Sequence, residues 1–179
     1  MEPEADLRYP IGKYQRPGAL TDEQRAEFID AIAETPDRLM SALKNLSADR
    51  LETPYRPGGW TVRQVVHHLP DSHMNAYVRM KLALTEDEPT IKPYDEARWA
   101  ELFDGKRLPI SPSLDLLETL HKRWVLMLKS LAPTDWARRF RHPEHEKPMS
   151  IDDSLALYAW HGKHHVAHIT SLRERNGWR

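Results

Sequence analysis

In four long stretches of this 179-residue chain the apolar residues recur every three or four positions, and nowhere do they alternate over enough residues to build a sheet core. The first stripe is Phe28, Ile32, Leu39, Leu43 and Leu46, and the second is Val62, Val65, Val66, Leu69, Ala76, Met80 and Leu84. Leu114, Leu117, Leu120, Trp124, Leu128 and Leu131 form the third, and Leu155, Tyr158, Ile169 and Leu172 the fourth. A helix with one apolar face must bury it against a neighbour, so the pattern predicts an all-α, antiparallel-style four-helix bundle.

The helix ends are encoded locally. Thr21 with Gln24 reads as a capping box, Thr61 as an N-cap after the turn Pro54-Tyr-Arg-Pro-Gly-Gly59, and Ser111-Pro112 as a start with proline in the first turn. Ser150 and Asp153 open the last helix, and Asn176-Gly177 stops it. The first helix is predicted to run to about Leu46. Pro36 inside it removes a backbone donor, which predicts a kink or brief interruption near Thr35.

Residues up to about Leu20 carry Pro10, Pro17 and two glycines without helical period, and read as an extended arm on the surface. Of the two irregular connections, the one from Pro93 to Pro112 has enough apolar residues, Tyr94, Trp99, Leu102 and Phe103, for a short helix. The other, Asp135 to Pro148, is charged and leaves room for a small hairpin. At least one long crossover connection is required. With no internal repeat, residues 1–179 read as one domain.

Lys and Arg total 26 against 27 Asp and Glu, interspersed, so there is no basic footprint for nucleic acid. Cysteine is absent, which excludes disulfides, thiolate ligands and a cysteine nucleophile. A polar N-terminus and the lack of a membrane-length apolar run make a soluble, cytoplasmic protein the expectation.

The chemistry concentrates in histidine. Trp160-His161-Gly162-Lys163-His164-His165-Val166-Ala167-His168 holds two i,i+4 pairs, His161/His165 and His164/His168, and either pair can present both imidazoles to one ion. On a helical wheel His165 falls at the edge of the apolar arc with His161 beside it, while His164 lies nearly opposite. His161/His165 is therefore the better interior pair. On the second helix the wheel favours His68 over His67 only marginally, and His73 sits among the apolar residues as a core or supporting histidine. One pair plus one such histidine makes a three-histidine site with an open coordination position, the arrangement of catalytic zinc.

Two stretches, Gly59-Trp-Thr-Val-Arg-Gln-Val-Val-His-His-Leu-Pro-Asp-Ser-His-Met-Asn75 and Leu157-Tyr-Ala-Trp-His-Gly-Lys-His-His-Val-Ala-His-Ile169, resemble the two metal-site helices of the DinB-like superfamily, in its YfiT-like branch. The opening Tyr9-Pro-Ile-Gly-Lys-Tyr14 and the closing Ile169-Thr-Ser-Leu-Arg-Glu-Arg-Asn-Gly-Trp178 extend the resemblance over nearly the whole chain. The resemblance implies a four-helix bundle holding one divalent metal, zinc or nickel, through three histidines, and the activity of a metal-dependent hydrolase. Carried over residue by residue, the ligands are His68, His161 and His165. Pro70 departs from the alanine more usual there, which predicts a kink within a turn of the ligand.

Three neutral imidazoles leave the ion its full charge, and in the best zinc cases the pKa of bound water falls to roughly 7. Asp71, one turn after His68, is the candidate carboxylate to orient that histidine or a water. Three readings share the site. The first is hydrolysis of a small electrophilic substrate. The second is transfer of a low-molecular-weight thiol, as in the related bacillithiol S-transferases. The third is a stress-associated metal-binding module with no turnover and a closed coordination sphere. A homodimer through helix faces is also compatible with the pattern.

Overall fold

The computed structural model describes residues 6–144 and 146–178, so the first five residues of the expected arm lie outside it. Four long helices carry the fold: α1 (Asp22–Leu43), α3 (Val62–Thr85), α6 (Ser111–Lys129) and α7 (Ile151–Arg175). Short helices fill the connections: α2 (Ala48–Leu51), α4 (Glu96–Trp99) and α5 (Phe103–Arg107). A two-stranded antiparallel ribbon, β1 (Arg139–Phe140) against β2 (Met149–Ser150), is the hairpin expected before the last helix. No helix among the described residues is long and apolar enough to cross a membrane.

Three of the four long helices start at a side-chain cap, whereas α6 starts at Ser111 with Pro112 in its first turn and no side-chain cap. The Thr21/Gln24, Thr61/Gln64 and Ser150/Asp153 capping boxes all form, each satisfying otherwise orphaned backbone donors. α1 stops at Leu43, three residues earlier than expected, as Asn45 turns the chain with φ 62°. At the far end Gly177, φ 62°, closes α7.

Each of α1 and α3 packs against both α6 and α7. Successive helices α1 and α3 thus stand across a diagonal, as do α6 and α7, which is why the connections between them are long crossings. The α3–α7 contact brings together the two histidine-bearing stretches of the chain.

Neither internal proline breaks its helix. α1 runs unbroken through Pro36, so of the kink or brief interruption expected near Thr35 the interruption does not occur, and α3 runs unbroken through Pro70. At Pro36 the reason is visible: the Ile32 carbonyl, which the missing N–H leaves free, accepts instead from His121 Nδ1 at 2.6 Å. The Thr35 hydroxyl also donates to Ala31 O at 2.9 Å.

The interior is divided. One apolar cluster gathers Ile32, Met80, Trp124 and Leu155, and a second gathers Leu39, Leu69, Leu117 and Ile169. Between them along α3, α6 and α7 lie His68, His73, His121, His161 and His165, a histidine layer across the middle of the bundle.

Candidate metal centre

α3 supplies His68 and α7 supplies His161 and His165, and one ligand nitrogen from each lies within 4.8 Å of the others. His68 and His165 are buried, whereas His161 is half-buried. The Nε2 atoms of His68 and His161 face one another at 3.4 Å. That is a poor hydrogen bond, but two imidazoles sharing a tetrahedral ion at about 2.0–2.1 Å each would stand roughly 3.3 Å apart. The donor set fits a divalent ion in its chemistry and in its spacing.

Burial keeps these rings neutral, which ligation requires. Desolvation, with smaller contributions from His168 and His164, pulls His68 down to about 4. His161 and His165 are held well below the ordinary histidine range, first by desolvation and then by the neighbouring rings.

The flanking histidines separate into roles. His67 is turned away from the cluster that His68 joins, with Nδ1 2.7 Å from Ser113 Oγ and Nε2 3.2 Å from Leu108 O. His73 is fully buried and bridges His121 and His161. His164, which the wheel set nearly opposite the apolar arc, is nevertheless buried. The arm lies over it, with the Tyr9 ring at 5.9 Å, and Trp160 stacks on it at 4.3 Å. Its Nδ1 is buried without a hydrogen-bond partner among the described residues.

Asp71 is half-buried one turn beyond His68. Desolvation and then the Asp104 charge push its carboxyl up to about 6. No hydrogen bond joins it to a site histidine among the described residues.

A cleft of about 380 Å³ opens on the centre, with His164, His165 and His168 on one side and Tyr55, Trp60 and Glu96 among the residues facing them. Arg8 and Arg56 also line it, and neither makes an ion pair among the described residues. Trp60 stands 4.7 Å from the His68 ring and forms part of the wall. His121 went unrecognised in the sequence. Its place on α6 between Leu117 and Trp124, at spacings of four and three, marks it as core-facing and was the available signal.

The model of the DinB superfamily matches residues 31–169. The chain belongs to the DinB superfamily. DinB relatives are close over the full length. A protein from Bacillus mycoides named "Putative metal-dependent hydrolase" is 56% identical over 173 residues, 97% of this chain and 99% of its own. One of the same name from Oceanobacillus iheyensis is 54% identical over 171 residues, 96% of this chain and 98% of its own. Among solved structures, YfiT from Bacillus subtilis, described as a probable metal-dependent hydrolase with an unusual four-helix bundle topology, superposes with a TM-score of 0.95. It is 48% identical, covering 97% of this chain and 99% of its own. Within the DinB superfamily the YfiT-like branch is therefore the right comparison.

Proposed function

We propose that this protein is a metal-dependent hydrolase in which His68, His161 and His165 hold one divalent ion, zinc or nickel, beside a cleft for a small electrophilic substrate. The observation that carries the reading is the convergence of three neutral imidazoles from α3 and α7 at one point within reach of solvent. The names of the DinB relatives support it. When bound, such an ion supplies Lewis acidity, making a water acidic enough to attack near neutral pH and polarising the bond attacked.

The chain's own residues do the rest. Arg8 and Arg56, with no carboxylate partners, suit a substrate bearing an anionic group, and the faces of Tyr55 and Trp60 suit a flat or apolar part. Trp60 against His68 excludes bulk water from one side of the site. Asp71, with its carboxyl raised to about 6, takes the proton from the attacking water near neutral pH.

Elemental analysis of protein purified without an affinity tag, in parallel with His161→Ala and His165→Ala, tests the site. Near-stoichiometric zinc or nickel in the parent and loss in both variants is the expected result. A parent that neither carries metal nor binds added zinc tightly removes the reading. In one alternative at the same site a thiol cosubstrate replaces water; the absence of cysteine suits that role, because no protein thiol competes for the ion, and is equally compatible with hydrolysis. Turnover that requires a low-molecular-weight thiol and yields its conjugate would select that alternative.

A further inference from the structure

Both α7 ligands have their second ring nitrogen tied into a line of hydrogen bonds that ends on a backbone carbonyl. In the first line His161 Nδ1 lies 3.0 Å from His73 Nε2, His73 Nδ1 lies 2.7 Å from His121 Nε2, and His121 Nδ1 lies 2.6 Å from Ile32 O. In the second, whose first step is long and so holds its ring more weakly, His165 Nδ1 lies 3.4 Å from His168 Nδ1, and His168 Nε2 lies 3.1 Å from Arg8 O.

A carbonyl oxygen only accepts, and a neutral imidazole carries one N–H. His121 must therefore hold its proton on Nδ1 and offer the Nε2 lone pair, to which His73 donates from Nδ1. His73 Nε2 then accepts from His161 Nδ1, and the lone pair of His161 is left on Nε2, the atom 3.4 Å from His68 Nε2. The same reasoning on the second line puts the His168 proton on Nε2, makes His165 donate from Nδ1, and leaves the His165 lone pair on Nε2. Reversing either line would turn a lone pair toward a carbonyl oxygen.

The first line also has an origin in the chain. Ile32 O is free to receive His121 because residue 36, whose N–H would claim that carbonyl in an ordinary helix, is proline. Each line terminates on a group that cannot take up a proton, so each is a fixed brace and not a route for protons.

We propose that Pro36, His121, His73 and His168 are positioning residues that lock His161 and His165 as Nδ1–H tautomers, presenting both Nε2 lone pairs to the metal point before any ion arrives. The proposal rests on the metal-site reading above. Partners of this kind are worth roughly 10–100-fold in metal affinity where they have been removed from other sites.

The test is long-range proton–nitrogen correlation NMR on the full chain, labelled at histidine and stripped of metal with a chelator. Of the five histidines in the two lines, His73, His121, His161 and His165 are expected as Nδ1–H tautomers and His168 as Nε2–H. An Nε2–H or averaged tautomer at His161 or His165 overturns the proposal. His121→Phe removes the carbonyl anchor without touching a ligand; it should release His161 to a mixture of tautomers and weaken zinc binding about ten-fold, measured against a chromophoric chelator. Pro36→Ala, which restores the competing N–H, should shift both readouts in the same direction by less. A folded His121→Phe with an unchanged His161 tautomer and zinc affinity would also overturn the proposal, and if that variant fails to fold, the parent spectrum and Pro36→Ala decide. A parent with the expected tautomers that binds no zinc would instead sink the metal-site reading and leave the tautomer assignment standing.

Discussion

Gly162 of α7 approaches Thr35 of α1 so closely that a Cβ on Gly162 would fall 2.5 Å from the threonine Oγ1 and 2.9 Å from its Cγ2. Thr35 is buried and its hydroxyl is already committed to Ala31 O, so it cannot swing aside without losing that bond. The contact sits between His161 and the proline that frees Ile32 O. Gly162→Ala should therefore force α7 away from α1 and cost about 1–3 kcal/mol by overpacking. Urea unfolding measures it, and Thr35→Ala in the same chain should recover most of the loss. A single variant within about 0.5 kcal/mol of the parent would show that the helices separate freely.

Acid should unfold the metal-free protein well above the carboxylate range. His68, His121, His164 and His168 are each pulled to about 4, chiefly by burial. A folded-state pKa below the unfolded value of about 6.5 means that the native state binds fewer protons, so its stability is full above that pH and is lost as pH falls toward 4. His121 alone, 1% exposed, accounts for roughly 3 kcal/mol at about 1.4 kcal/mol per unit. Asp71 acts oppositely, since a carboxyl raised to about 6 favours the folded state at low pH, but it is one group against several. Urea midpoints should be flat above pH 7 and drop steeply between pH 6.5 and 4. A midpoint unchanged down to pH 5 would contradict the buried-neutral account.

What the sequence made legible was local. The caps at Thr21, Thr61 and Ser150 involve residues at most three apart, and the His161/His165 pair four apart, so a helical reading placed them without tertiary knowledge, although the Gln64 half of the Thr61 box was not read. What stayed hidden depends on elements meeting across the bundle. Pro36 reads as a kink or break until α6 delivers His121 to the carbonyl it frees, that of Ile32, 89 residues before His121. His73 is visibly core-facing, but nothing on α3 says that it joins α6 to α7. His164 reads as outward until the arm folds back and covers it.

That arm is clamped at its base. Arg16 Nε donates to Asp153 Oδ1 at 2.7 Å and Arg16 Nη2 donates to Pro148 O at 2.9 Å, while Asp153 also completes the α7 capping box through Ser150. Arg16→Ala leaves a buried carboxylate with only its capping partners, and should cost about 1–2 kcal/mol. The Arg8 carbonyl that receives His168 lies on the same arm, so amide exchange should rise at residues 6–16 and at the start of α7 together. Faster exchange confined to residues around Arg16 would show that the arm is held elsewhere.

Asp71→Asn separates the carboxylate's chemical role from a structural one. The amide keeps the volume and removes the basic site, so zinc content and the urea midpoint should remain close to the parent while kcat falls about 10²–10⁴-fold. The parent rate should rise with pH through about 6 as the carboxyl ionises, because a base works only in its deprotonated form. In the variant that limb should vanish, leaving a low rate without the transition near 6. Full activity in Asp71→Asn, or an unshifted limb, would assign the base elsewhere. Loss of zinc together with activity would instead mean that Asp71 serves to orient His68, one helical turn away.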